Sequence, residues 1–316
     1  MLIKVRERVS DQMYFLTVTK TKKMAECFKT NRYVFSLHPL ILRQMQRSKQ
    51  TGVPVKNITL QSVYLNRDVL VDLYFPPIGY DTRLTSLLLI NDGQDLPKFH
   101  FDEMLANLYE ANEIKPIFCV GIHCSAERKM EYGAASLLDY KGRGAKARLY
   151  QQFVFEELLP YIKANWQEEF SEKAYAGFSL GGLSAIDTVW HYPDEFSKAG
   201  VFSGSLWWRL KDLHHGYKEE TDRIMHKLVR EGNFKPGLKF YFTTGSHDER
   251  MDRNHNGIID SIDDTLGLIE ELEKKGYTNE NDIHYVNYED GKHDVKTWGR
   301  AMPAFLKWGW GRRSAL

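Results

Sequence analysis

Cysteine is scarce in this chain. Only Cys27, Cys119 and Cys124 occur among 316 residues, an odd number without framework spacing. That count excludes a disulfide-stapled scaffold. Charge of one sign is missing too: 43 Lys and Arg against 42 Asp and Glu leave a formal net charge of +1, with no long basic run. Nucleic acid is therefore not an expected partner. No apolar stretch reaches the roughly 20 residues of a membrane-spanning helix, so no membrane association is expected. Met1-Leu2-Ile3-Lys4-Val5-Arg6-Glu7-Arg8 places charges where a signal peptide needs its apolar segment. The expected location is the cytoplasm, or outside it if translation starts upstream. Internal repeats and low-complexity linkers are absent. What is present, 42% hydrophobic and 27% charged residues, suits one large α/β domain with additions.

The most informative stretch is Tyr175-Ala176-Gly177-Phe178-Ser179-Leu180-Gly181-Gly182. A β-prone segment, Lys173–Phe178, runs into Gly-x-Ser-x-Gly, and the apolar helical run Leu183, Ile186, Val189, Trp190 follows. In that context the motif reads as a nucleophile elbow, a tight strand-to-helix turn that presents a serine hydroxyl and aims the next backbone N–H, that of Leu180, at an oxyanion.

Strand-like and helical segments alternate on both sides of it. Ile58–Tyr64 and Val69–Phe75 read as a leading hairpin around Asn66-Arg67-Asp68. Thr85–Ile90, Pro116–Ile122, Lys198–Phe202, Leu238–Thr243 and Ile283–Tyr288 read as buried strands. In the first and second of these gaps, the Phe101–Tyr109 spacing and a helix running into Pro160 mark helices. Ile262–Leu272 and Trp298–Trp308 have the same spacing. Lys211–Lys235 reads as a charged, largely helical cap or insertion near the site. Cys119, inside an apolar run, reads as a small core hydrophobe. The expected architecture is an α/β-hydrolase fold with a mostly parallel central sheet, helices on both faces and an antiparallel leading hairpin. Residues 1–55 are set apart as an N-terminal extension of unreadable function, with a short helix around Leu40, Ile41 and Met45; residues 56–316 form the catalytic domain.

A serine needs a base within hydrogen-bonding reach and an acid to orient that base. In this fold the chain order is serine, acid, histidine. His293, in the loop after the last strand, is the expected base, and Asp248, in Gly245-Ser246-His247-Asp248-Glu249 after the preceding strand, the expected acid. Glu249 and Asp252 compete for the acid's place, and His247 is a distant rival for the base. The second oxyanion donor is expected from Asn91-Asp92-Gly93-Gln94-Asp95, as the Gln94 N–H with that of Asp95 as fallback. Trp207 and Trp208 follow another strand end, where they either wall an acyl or aryl pocket or anchor the loop to the core.

Residues 252–263 carry a second pattern. Asp252, Asn254, Asn256, Asp260 and Asp263 supply oxygen side chains at loop positions 1, 3, 5, 9 and 12, Gly257 stands at position 6, and Ile258 offers its carbonyl at position 7. This is the spacing of an EF-hand calcium loop with Asp in place of Glu at the last position. A structural Ca²⁺ is expected there, and no cofactor is expected for catalysis.

With those residues in view, the chain resembles the putative esterase family of α/β-hydrolases, among them siderophore esterases, feruloyl esterases and S-formylglutathione hydrolase. The resemblance runs from about Asn57 to Trp308. It rests on Leu88-Leu89-Ile90-Asn91-Asp92-Gly93-Gln94-Asp95, Glu157-Leu158-Leu159-Pro160-Tyr161-Ile162, the elbow, and Ser203-Gly204-Ser205-Leu206-Trp207-Trp208. It implies Ser179 as nucleophile, His293 as base, Gln94 and Leu180 as oxyanion donors, and Arg128 near the substrate. Two departures stand out: Gly291-Lys292-His293 replaces the Gly-Gly-His of many relatives, and the calcium-like loop, similar to that of dockerins, is absent from the best-known members. The expected activity is carboxylic ester hydrolysis on a small-molecule substrate. Acyl transfer at the same site and a non-catalytic, calcium-stabilised binding protein are the alternatives.

Overall fold

The structure is a computed structural model, and it describes residues 2–9, 12–19, 52–77, 84–166 and 169–312. Ten strands form one sheet: β1 (Leu2–Val9), β2 (Gln12–Thr19), β3 (Val55–Ser62), β4 (Arg67–Tyr74), β5 (Ser86–Asn91), β6 (Ile117–Ile122), β7 (Lys173–Phe178), β8 (Lys198–Phe202), β9 (Lys239–His247) and β10 (Ile283–Lys292). Their spatial order is β10-β9-β8-β7-β5-β6-β4-β3-β1-β2. The strands from β10 to β6 run parallel, and β6, β4, β3, β1 and β2 pair antiparallel in turn.

The central strands are apolar because both of their faces are covered. Every residue of β5, β6 and β8 is buried. On one face lie α1 (Phe101–Glu110) and α6 (Val295–Trp310), packed around Phe178, Phe202, Tyr241 and Phe305. On the other lie α2, made of Ala147–Gln152, the π-helical Phe153–Leu158 and Leu159–Asn165, with α3 (Leu180–His191), α4 (Ile224–Glu231) and α5 (Asp260–Lys275). Each fully buried Leu, Ile or Phe in these layers contributes about 1.5–3 kcal/mol. Cys119 is among them and fully buried, as expected.

The structure adds three points. Within the N-terminal extension, β1 and β2 form a hairpin that extends the sheet, with Val5 opposite Leu60 of β3. The signal was diluted because Ile3, Val5 and Val9 alternate with Lys4, Arg6 and Arg8 but Glu7 interrupts the pattern. Pro160 does not end its helix, which continues to Asn165 through the π-helical stretch; that wider register removes the need for the N–H proline lacks. Finally, the segment read as a cap buries Ile224, Met225, His226 and Val229 of α4 and packs against α5 and the elbow helix, so its helix is part of the core. Cys27 and the short helix around Leu40 lie outside the described residues. Among those residues, no helix is long and apolar enough to cross a membrane.

Candidate active site

The sheet's parallel strands end together, and the loops at their C-terminal ends meet there, as the fold requires. Ser179 sits between β7 and α3 with φ 54° and ψ −119°. For a residue with a Cβ that region costs on the order of 1–3 kcal/mol, held in place by its surroundings. Those surroundings are tight: a Cβ on Gly177 would lie 2.4 Å from the Gly181 backbone. Only glycine lets the strand end and the first turn of α3 pack this closely.

Across from it, His293 presents Nε2 at 2.9 Å from Ser179 Oγ, and its ring stands edge-on to Trp298 with centroids 5.2 Å apart. The residues of the loop that carries it are fixed by α6, whose N-cap Asp294 accepts a hydrogen bond from the Thr297 amide. Loss of surrounding water lowers the imidazole below its ordinary value; Asp248 opposes that shift, Arg128 adds to it and Asp294 opposes it. A neutral imidazole at neutral pH is the form that accepts a proton.

Asp248 follows β9. Its Oδ2 accepts hydrogen bonds from the Gly245 amide and Ser261 Oγ, each at 3.0 Å, while its buried Oδ1 has no partner. Its charge reaches His293, but no hydrogen bond joins the two. The rivals are placed elsewhere. Burial, with Asp260 and Asp264 beside it, pushes the Glu249 carboxyl up to about 7. Asp252 caps its own loop, accepting from the amides of Asn256 and Gly257. His247 is exposed at the end of β9, opposite Lys292. Of the other histidines, His123 bonds Asp72 at 2.7 Å, while His214 and His215 are exposed.

The expected oxyanion donors open helices. Leu180 is the first residue of α3, and Gln94 the second of the 3₁₀ helix Gly93–Phe99; amides in a first turn have no partner within their helix. The Gln94 side chain is tied at both ends to Cys124: Oε1 accepts from its amide at 3.0 Å and Nε2 lies 3.2 Å from Sγ.

Arg128 is where the resemblance placed it in sequence, but its contacts are internal. It grips Asp92 with Nε at 2.7 Å and Nη2 at 2.6 Å, and Nη2 also donates to the Phe178 carbonyl at 3.1 Å. It thus fastens the loop after β5 to the strand end before Ser179. Trp208 is fully buried, packed beneath Gly133 with Arg143 over its ring at 4.9 Å, so it anchors a loop rather than walling a pocket. Trp207, partly exposed, lies beside it.

Sequence reasoning missed several participants. Ser205, buried, brings Oγ to 3.3 Å from Ser179 Oγ. Asn91 donates to the Gly181 carbonyl at 2.8 Å and accepts from Tyr150 at 2.7 Å and Tyr175 at 2.9 Å, a fully buried brace between β5 and the elbow helix. Their motifs had been singled out, but a buried brace and a loop residue look alike along a chain.

In the loop 252–263, Asn254 Nδ2 and Asn256 Nδ2 lie 3.2 and 3.0 Å from the two oxygens of Asp263. With Asp252 these side chains share one small volume at the expected spacing. Asp260 does not join them: it accepts from the Arg253 amide at 2.8 Å and pairs with its guanidinium at 3.3 Å. No group of three His, Cys, Asp or Glu suited to a metal occurs among the described residues, so a cation here would depend on amide and carbonyl oxygens.

Comparison with known proteins fits this geometry. The family described as Putative esterase matches residues 62–308. The chain is similar to YbbA of Bacillus subtilis (strain 168), 26% identical over 253 residues, covering 77% of this chain and 94% of that one. It is also similar to the iron(III) enterobactin esterase of Escherichia coli (strain K12), 32% identical over 109 residues, covering 33% of this chain and 26% of that one. Among solved structures, the enterobactin esterase FES from Shigella flexneri, in the presence of 2,3-di-hydroxy-N-benzoyl-glycine, superposes with a TM-score of 0.61 at 21% identity, over 81% of this chain and 58% of that chain. The chain thus spans little more than half the length of that relative. A ferulic acid esterase superposes with a TM-score of 0.56 at 17% identity, over 81% of this chain and 96% of that one. This chain belongs to the putative esterase family and has an α/β-hydrolase fold.

Proposed function

We propose that the chain hydrolyses a small-molecule carboxylic ester through an acyl-enzyme formed on Ser179, with His293 as base and Asp248 as the acid that orients it. One observation carries this reading: the 2.9 Å approach of His293 Nε2 to Ser179 Oγ in a backbone conformation that costs energy to hold. In the first half-reaction Ser179 Oγ attacks the ester carbonyl as its proton passes to His293 Nε2. The Gln94 and Leu180 amides receive the oxyanion. The alcohol leaves with the proton from Nε2. In the second half-reaction His293 takes a proton from water, which attacks the acyl carbon; the bond to Ser179 Oγ then breaks, Nε2 returns the proton to Oγ, and the acid is released. The unpartnered Asp248 Oδ1 is the acceptor we assign to His293 Nδ1–H, which keeps Nε2 free for the serine. Arg128 belongs in this reading as the clamp on Asp92 rather than as a substrate contact.

The test is hydrolysis of a short p-nitrophenyl ester by the wild type beside Ser179→Ala. The expected loss in kcat is at least about a thousandfold, since triad members act as a unit. Equal rates would overturn the assignment. Transfer to an added alcohol competes at the same acyl-enzyme, and product analysis separates it from hydrolysis.

The loop 252–263 we assign to a structural Ca²⁺, held by Asp252, Asn254, Asn256, Asp263 and the Ile258 carbonyl, with Asp260 left to Arg253. Hard oxygen donors at this spacing suit calcium. Its contribution is to hold the segment between Asp248 and α5.

A further inference from the structure

The segment after β8, which begins beside Ser179, and the loop around residues 132–146 bring aromatic rings and guanidinium groups together. Ser205 touches the nucleophile, and Trp207 stands two residues further on. The loop is stitched to this segment through the Tyr140 amide, which donates to the Arg209 carbonyl at 3.0 Å. Two arginines lie in the stack, and they differ. Arg143 sits over Trp207 and Trp208, each at 4.9 Å, and is neutralised by the buried Asp139, to which its Nε donates at 2.7 Å. Arg209 lies over Tyr140 at 4.9 Å, with Trp207 at 6.0 Å and Tyr217 at 5.9 Å.

No carboxylate among the described residues pairs with Arg209. Its Nη2 reaches only the Tyr140 hydroxyl, at a long 3.4 Å, and its Nε is buried without an acceptor. The acids nearby bond elsewhere: Asp222 to Lys211 and the Lys218 amide, Glu219 to Arg253, and Asp212 to the His214 amide, its charge reaching Arg209 with no hydrogen bond between them. A half-buried guanidinium on aromatic faces, whose Nη2 makes only that long contact, matches an arriving anion. Its planar fork fits a carboxylate, and the rings limit competing water.

We propose that Arg209 recognises a free carboxylate carried by the ester substrate, so the enzyme prefers esters whose acyl or alcohol part bears a second, anionic group. This rests on the esterase reading and names the substrate class of the same site. Tyr140, Trp207 and Tyr217 surround the guanidinium, and Arg143 with Asp139 keeps the two loops in register.

The test compares kcat/KM for the mono-4-nitrophenyl ester of succinate with that for neutral 4-nitrophenyl butyrate. In the wild type the ratio should favour the charged ester and fall as salt is raised. In Arg209→Gln that ratio should drop about tenfold or more, and Arg209→Lys should keep part of it. An unchanged ratio in Arg209→Gln overturns the proposal. Should that variant not fold, a wild-type ratio insensitive to salt, matched by Arg209→Lys, overturns it equally. A binding arm is independent of turnover: Ser179→Ala titrated with glutarate should change Trp207 fluorescence, a signal that Trp207→Phe removes. Absence of either ester's hydrolysis while glutarate binds would sink the esterase reading and leave the carboxylate site; hydrolysis of both without carboxylate preference or glutarate binding would do the reverse.

Discussion

The two halves of the site are built differently. On the nucleophile side, Asn91, Asp92, Tyr150 and Tyr175 are buried and bonded to one another's elements, and glycines let backbone touch backbone. On the acid side, Asp248 keeps a buried oxygen without a partner, and Glu249, Asp260 and Asp264 crowd together, offset by Arg253 and Arg223. One half is held by packing and satisfied hydrogen bonds, and it places the Ser179 hydroxyl and the proposed oxyanion amides. The other is held by charges, which act on His293, the proposed base. Satisfied buried networks are rigid, whereas charge clusters respond to pH and ions.

The contrast can be broken from the acid side first. Asp248→Asn should cost on the order of 10²- to 10⁴-fold in kcat, because the imidazole loses the group that fixes its tautomer. The carboxylate also raises the His293 value, so removing it should lower that value further and move the acid limb of the kcat/KM profile to lower pH. A limb that stays put with rate unchanged would remove Asp248 from the site.

On the nucleophile side, Arg128→Gln leaves Asp92 buried without its partner. The expected loss of stability is about 3 kcal/mol, read as a lower midpoint in urea. Since Arg128 lowers His293, its removal should shift the acid limb upward, the opposite direction to Asp248→Asn. Shifts of the same sign in both variants would contradict the division drawn here.

The smallest effect concerns calcium. Ca²⁺ at about 100 times its dissociation constant should stabilise the fold by about 2.7 kcal/mol, so a chelator should lower Tm by roughly 5 °C. Identical midpoints with and without chelator would retire the cation. Asp263→Asn should abolish the difference and leave Ser179 and its neighbours unchanged.

Patterns confined to a few consecutive residues were readable before any coordinates. The elbow announces itself because a strand, a strained turn and a helix must follow one another directly. The parallel strands announce themselves because burial on both faces demands unbroken apolar runs such as Ser86–Asn91. That His293 would come within reach of Ser179 was readable because chain order in this fold is fixed by the sheet. Tertiary structure alone decided that Arg128 turns to Asp92, that Trp208 is an anchor, that Asp260 belongs to Arg253, and that Leu2–Val9 extends the sheet. In each case the partner is distant along the chain or the local pattern fits two outcomes. Which charge meets which is set only when the loops are brought together, since side-chain pairing depends on distance in space and leaves no periodic trace along the sequence.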